Sequence, residues 1–181
     1  MKALFTLIVV IASAFGIFAQ TDQEKRVAEI QSALKSQGVD GWLFYDFRGS
    51  DILIPRILKT SRMGGTRRWY YYVPANGEPV KVVHAIEPGQ LDSLPGQKLI
   101  YREWQLLKEQ VGKAIFGNGK PKKSSRIVMQ YSPNNDIPYI ARVDAGTIEM
   151  VRTLGVKIES SADLVQQFEA VVDGSDRRND V

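Results

Sequence analysis

Two glycines followed by two arginines and a tryptophan, Met63-Gly-Gly-Thr-Arg67-Arg68-Trp69, form the stretch of this chain best equipped to hold a ligand. Glycine-rich backbone can turn its N–H groups toward an anion, and guanidinium forks match carboxylates with two parallel hydrogen bonds. The plainer alternative is a flexible loop entering an edge strand with its arginines in solvent. Asp46, Arg48 and Asp51 follow the first predicted strand, and strand ends in open α/β sheets border clefts. Their alternative is a local ion pair, worth little. Lys120, Lys122 and Lys123 form a short basic run that reads as a solvated loop.

Residue counts exclude most catalytic sets. His84 is the single histidine, so H-E-x-x-H and every other two-histidine site are impossible. It reads as a histidine packed at a sheet end, on the face of Val80 and Val82. A serine triad would need a G-x-S-x-G elbow, and the chain has none. Gly117-Asn-Gly119-Lys120 runs into a proline and reads as a helix-ending turn, not a phosphate loop. The chain has no cysteine, which rules out disulfides, thiolate nucleophiles and cysteine-held metals. No catalytic and no metal-binding residues are assigned.

These residues need a scaffold, and the composition provides for one. With 44% hydrophobic and 24% charged residues, 181 residues suffice for one domain with a proper core. The formal net charge is +4. It falls to +3 once Lys2 is removed with the leader described next, too mild and too scattered for nucleic acid.

Residues 1–19 read as a secretory signal peptide: Met1-Lys2, then an almost wholly apolar run ending at Ala19. Ile17 is bulky for a cleavage site, and the alternative is an uncleaved anchor helix. The run falls short of the roughly 20 residues that span a bilayer comfortably. The expectation is therefore an exported protein, periplasmic or secreted, free of the membrane once cleaved.

Between residues 20 and 172 the pattern alternates helix and strand. Residues 22–37 read as a helix ended by Gly38, and residues 41–46 as a buried strand. Residues 50–60 are ambiguous, with Pro55 limiting where a helix can start. Residues 67–73 and 80–84 form a hairpin across the Asn76-Gly77 turn. Alternation puts Arg67, Trp69 and Tyr71 on one face and Arg68, Tyr70 and Tyr72 on the other, so both faces of this strand are covered. A short helix is expected at 87–93, a strand at 97–101, a helix at 104–116 and a strand at 126–131. Asp144 caps the next helix, with Val143 and Ile148 stapling it. A strand follows at 156–159, then a helix capped by Ser161 that carries Leu164, Val165, Phe168, Val171 and Val172. Residues 173–181 form a polar tail. The fold class is α/β, a mixed sheet flanked by helices.

Taken in order, several segments resemble one family. They are Leu34-Lys-Ser-Gln-Gly-Val-Asp-Gly41, Trp42-Leu-Phe-Tyr45, Asp46-Phe-Arg-Gly-Ser50, Arg67-Arg-Trp-Tyr-Tyr-Tyr-Val-Pro74 and Gly77-Glu-Pro-Val-Lys-Val-Val-His84. Met129-Gln-Tyr-Ser-Pro-Asn-Asn-Asp-Ile-Pro138, Arg142-Val-Asp-Ala-Gly146 and Ser160-Ser-Ala-Asp-Leu-Val-Gln-Gln-Phe168 follow. Together they are similar to the N-terminal domain of the creatinase, prolidase and Xaa-Pro aminopeptidase family, and most to exported bacterial Xaa-Pro peptidases. The resemblance implies a ribonuclease H-like domain followed by a catalytic domain that holds two divalent metal ions, such as manganese, cobalt or zinc. None of that second domain's ligands can be carried over, so the chain is either a fragment or a shortened form, inactive alone. By the same analogy Arg48, Arg67, Arg68 and Trp69 would line a substrate entrance for proline-containing peptides, and the domain would contribute to homo-oligomer contacts. The competing reading is a free-standing exported module that binds peptides or proteins.

Overall fold

The computed structural model describes residues 20–61, 63–119 and 125–169. The expected leader, the lysine run at 120–123, Val171, Val172 and the polar tail lie outside them. No helix among the described residues is long and apolar enough to cross a membrane.

Helix α1 (Asp22–Gln37) starts at a capping box. Thr21 Oγ1 accepts from Glu24 N–H, and Glu24 answers the Thr21 N–H. It stops at Gly38, whose φ of 65° suits a residue without Cβ. Strand β1 (Gly41–Asp46) follows, then the short helix α2 (Ile54–Leu58), which begins where Pro55 allows. The hairpin is β2 (Trp69–Pro74) and β3 (Val80–His84), and β4 is Gln97–Tyr101. Then come α3 (Trp104–Phe116), β5 (Arg126–Met129), α4 (Ala145–Arg152), β6 (Lys157–Ser160) and α5 (Ala162–Glu169).

The six strands form one mixed sheet in the order β4-β3-β2-β1-β5-β6. β2 is antiparallel to β1 and β3; the other pairs are parallel. Five strands therefore point one way and β2 alone runs back. Apolar side chains alternate across the sheet into two cores. Trp42, Phe44, Trp69, Tyr71 and Val83 face α1, α2 and α5. Leu43, Tyr45, Tyr70, Tyr72 and Val82 face α3 and α4. β1 and β2 are buried on both faces, as the aromatic alternation of residues 69–72 predicts.

Three local expectations are corrected. Residues 87–93 form no helix but a run of turns, with Gln90 N–H to Glu87 O and Asp92 N–H to Gly89 O. Pro88 and Gly89 interrupt helical continuity there. The strand predicted at 126–131 ends at Met129. Asp144 does cap α4 through Thr147 N–H at 2.8 Å, but the Ser161 side chain does not cap α5. Its Oγ is buried without a partner, and Ser160 Oγ takes the Ala162 N–H instead.

Candidate functional site: an arginine-rimmed cleft at the sheet end

β1, β3 and β4 finish, and β2 begins, at the same end of the sheet. A cleft of about 720 Å³ opens there, closed on one side by the first residues of α3 and α4. Clefts at this end of an open sheet exist because the adjoining loops diverge to opposite faces.

Arg48 reaches the cleft through a strained turn. Asp46 is buried, and its carboxylate accepts the Gly49 N–H at 2.8 Å, the Ser50 hydroxyl at 3.2 Å and the Asp51 N–H at 2.8 Å. Those bonds fold residues 47–50 tightly enough to place Arg48 at φ 61°, an uncommon conformation for a residue with a side chain. Its guanidinium lies 5.2 Å from the Phe47 ring. The three residues Asp46, Arg48 and Asp51 therefore form no ion-pair group. The two acids build the turn, and the arginine lines the cleft.

Arg67 and Arg68 enter from the other side, just before β2. The backbone here departs from the anion-cradle reading. Thr66 N–H (2.8 Å), Thr66 Oγ1 (2.7 Å) and Arg67 N–H (3.1 Å) all donate to the Glu87 carboxylate. The Thr66 bonds, with help from Arg67, hold Glu87 below the usual carboxylate range. An internal acid thus takes the N–H groups, and the guanidinium groups remain for a ligand, Arg67 making only long bonds to the Thr66 carbonyl (3.4 Å) and hydroxyl (3.3 Å). None of Arg48, Arg67 and Arg68 forms an ion pair among the described residues.

Trp69 does not line this cleft. It is 2% exposed and packs in the opposite core. The alternation that puts Arg68 with Tyr70 sends Trp69 through the sheet, beside Asp51 and Met63.

The sequence reading missed the aromatic wall. Tyr45 from β1, Tyr101 from β4 and Trp104 from α3 all line the cleft, and Trp104 is 71% exposed. Burial pushes the Tyr45 hydroxyl up to about 12. Tyr101 Oη donates to Arg68 O at 2.6 Å, fixing the chain that carries Arg68. His84, read as simply packed, stands edge-on to Tyr101 with ring centres 4.9 Å apart. Its Nδ1 accepts the Ile86 N–H at 3.0 Å, leaving Nε2 to carry the proton of the neutral ring. Periodicity gives no sign of this grouping, because the sheet order brings the four residues together.

The cleft can hold an anion with an apolar body: guanidinium groups for the charge, rings for the body. Both threonine hydroxyls that line it are engaged with carboxylates. Thr66 Oγ1 donates to Glu87, and Thr147 Oγ1 donates to Asp144 at 2.8 Å. Asp144 is itself occupied. Burial pushes its pKa up, but bonds from the Thr147 side chain and backbone outweigh this and leave it lowered. Nor do the described residues fit a metal pair. No three His, Asp or Glu side chains come together to hold an ion, and the carboxylates of Asp46, Glu87 and Asp144 are spent on local hydrogen bonds.

No protein-family model matches the chain, and no curated protein matches it by sequence. Solved structures do match. The chain is similar to dipeptidase PepE from Mycobacterium ulcerans, with 18% identity and a TM-score of 0.63, covering 87% of this chain and 40% of that one. It is similar to a prolidase from Thermococcus sibiricus, with 10% identity and a TM-score of 0.60, covering 82% of this chain and 37% of that one. It is also similar to the creatinase/prolidase N-terminal domain of an X-Pro dipeptidase from Streptococcus pyogenes, with 13% identity and a TM-score of 0.57, covering 79% of this chain and 98% of that one. The chain thus spans well under half of the longer enzymes and nearly all of the isolated domain. At these identities the likeness is one of fold, and the fold is that of creatinase/prolidase N-terminal domains.

Proposed function

We propose that the chain is the non-catalytic N-terminal domain of an exported Xaa-Pro peptidase-like metalloenzyme. The observation that carries this reading is the span of the structural match, 98% of an isolated N-terminal domain against 37–40% of whole enzymes. On this reading the metal ions and the hydrolytic residues belong to a second domain. The cleft supplies one wall of the substrate entrance, with Arg48, Arg67 and Arg68 receiving the charge of a proline-containing peptide. The domain also takes part in oligomer contacts. The apolar leader at residues 1–19 supports export.

The direct test is an assay of the pure chain on Xaa-Pro dipeptides with added manganese, cobalt or zinc. No turnover is expected, and robust turnover that survives further purification overturns the reading. A second reading, a free-standing peptide-binding module, is favoured by three arginines that form no ion pair among the described residues, beside an exposed Trp104. Calorimetry on the isolated chain separates the two: micromolar binding of an Xaa-Pro peptide without any partner domain favours the module.

A further inference from the structure

Behind the arginine cleft, on the opposite face of the sheet, Asp46, Asp51, Ile54, Met63 and Trp69 help to enclose a small cavity. Its space is about 10 Å³, close to the least that holds one water molecule. Two of its lining side chains carry a buried polar atom with no hydrogen-bond partner among the described residues, Asp51 Oδ2 and Trp69 Nε1. Asp51 is 4% exposed and Trp69 2%. Buried polar groups are nearly always paired, so two such atoms on one cavity point to a shared partner.

The surrounding bonds fix where that partner must sit. Asp51 Oδ1 accepts the Leu53 N–H at 2.9 Å, which commits one carboxyl oxygen and leaves the other. Asp46 stands directly opposite Trp69 in the β1–β2 register, so the two side chains share a face of the sheet. The Asp46 carboxylate takes three donors, Gly49 N–H, the Ser50 hydroxyl and Asp51 N–H, of the roughly four that a carboxylate accepts.

The groups also select the ligand. The indole Nε1–H only donates and so opposes a cation, while two carboxyl groups oppose an anion. The space admits a single heavy atom. A neutral group that both accepts and donates fits all three conditions. We infer that one water molecule is bound here, accepting from Trp69 Nε1–H, bonding Asp51 Oδ2 and giving its remaining hydrogen to Asp46. It serves Asp51 in either protonation state, donating to the carboxylate or accepting from the carboxyl. This water joins the two arms of the arginine cleft from behind the sheet. Asp51 closes the turn that carries Arg48, and Trp69 directly follows Arg67 and Arg68. The site is independent of any peptide binding by the cleft.

A high-resolution crystal structure of the chain is expected to show one peak at about 2.7–3.2 Å from both Trp69 Nε1 and Asp51 Oδ2. In solution, the Trp69 indole proton is expected to give water cross-peaks of opposite sign in NOE and ROE spectra, the mark of a water that tumbles with the protein. Trp104, 71% exposed, is the control in contact with bulk solvent. Trp69→Phe keeps most of the ring and removes the donor. It is expected to speed exchange of the Gly49 and Asp51 amides at least about threefold, with thermal melting checking that it folds. The first two measurements use the wild type alone, so they decide even where that variant unfolds. A dry cavity, a direct bond between Trp69 and Asp51, or a cation's shell of several oxygen ligands overturns the inference. So does unchanged exchange in a folded Trp69→Phe.

Discussion

The carboxylate of Asp46 accepts the backbone N–H of Asp51 at 2.8 Å, so one buried acid holds the chain that carries another. Asp51 bears the cost. Burial, with Asp46 adding its charge, pushes the Asp51 carboxyl from 3.8 up to about 6. One of its oxygens accepts from Leu53 N–H, and the other is buried without a partner.

A pKa raised on folding has a definite sign. The folded state holds the proton more tightly, so this group's contribution is fully favourable below about 4 and is lost as pH rises through about 6. At neutral pH the buried charge costs about 2–3 kcal/mol. Asp51→Asn is expected to raise the melting temperature at pH 7.5 and leave it nearly unchanged at pH 4. Melting curves from pH 4 to 8 check this; equal shifts at both ends would show that the carboxyl is not buried as described.

The arginines and Trp69 make a separable pair of tests. The double change Arg67→Ala/Arg68→Ala is expected to weaken binding of an anionic, proline-containing peptide at least about tenfold with little loss of stability, because neither arginine forms an ion pair among the described residues. Trp69→Ala is expected to cost about 3–5 kcal/mol of stability and to leave affinity unchanged below the melting range, because the ring fills the opposite core. Quenching of Trp104 fluorescence on peptide addition is the readout, since that indole is the exposed one.

Arg26 carries a structural role that its place in a surface helix conceals. It is 5% exposed, donates to Ile57 O and to Phe168 O at 3.0 Å, and lies 4.5 Å from the Phe168 ring centre. One side chain therefore joins α1 to the ends of α2 and α5. Arg26→Ala is expected to cost about 2–4 kcal/mol, since it leaves two carbonyls without their donors. Arg26→Lys should recover little, because an ammonium cannot reproduce the planar fork. Urea titrations of the three proteins compare them directly.

Gly96 opens β4 at φ 112°, where a Cβ would sit 2.3 Å from Pro79 O. Both the conformation and the backbone neighbour forbid a side chain. Gly96→Ala is expected to destabilise by about 2–3 kcal/mol and to speed exchange of the Gln97 amide, which donates to that same Pro79 carbonyl. Exchange unchanged at Gln97 would mean that the strand start absorbs the methyl.

The succession of elements was legible wherever local chemistry is decisive. Gly38 ends α1, Pro55 starts α2, Asn76-Gly77 turns the hairpin and Asp144 caps α4. The cleft was legible only by halves. Alternation separated Arg68 from Trp69 correctly but wrongly put Arg67 with Trp69, because β2 begins only at Trp69 and both arginines precede it and line the cleft; with both faces of β2 buried, alternation also could not say which face borders a cavity. Tyr45, His84, Tyr101 and Trp104 belong to four different elements, and only the sheet order gathers them. The sequence leaves open whether the Gly-Gly-Thr-Arg stretch cradles a ligand or is a plain loop, because nothing local shows that Glu87, twenty residues later, takes its N–H groups. The helix expected at 87–93 fails because Pro88-Gly89 favours turns over a continuous helix.

β1 sits at the middle of the sheet but near the start of the described chain. β2, β3 and β4 are the next strands along the chain, so four of the six strands can pair with sequence neighbours. β5 reaches β1 only after α3 and the connection beyond it, pairing Gly41 with Ile127. Such distant partners lose chain entropy before their contacts repay it, which slows their meeting. Sequence separation therefore predicts that the β1–β4 segment pairs before the β5–α4–β6–α5 unit joins it, an order that pulsed hydrogen exchange during refolding checks. The Trp42 indole N–H meets Gln130 Oε1 at 3.1 Å across that junction, so this one bond can form only when the two parts have joined.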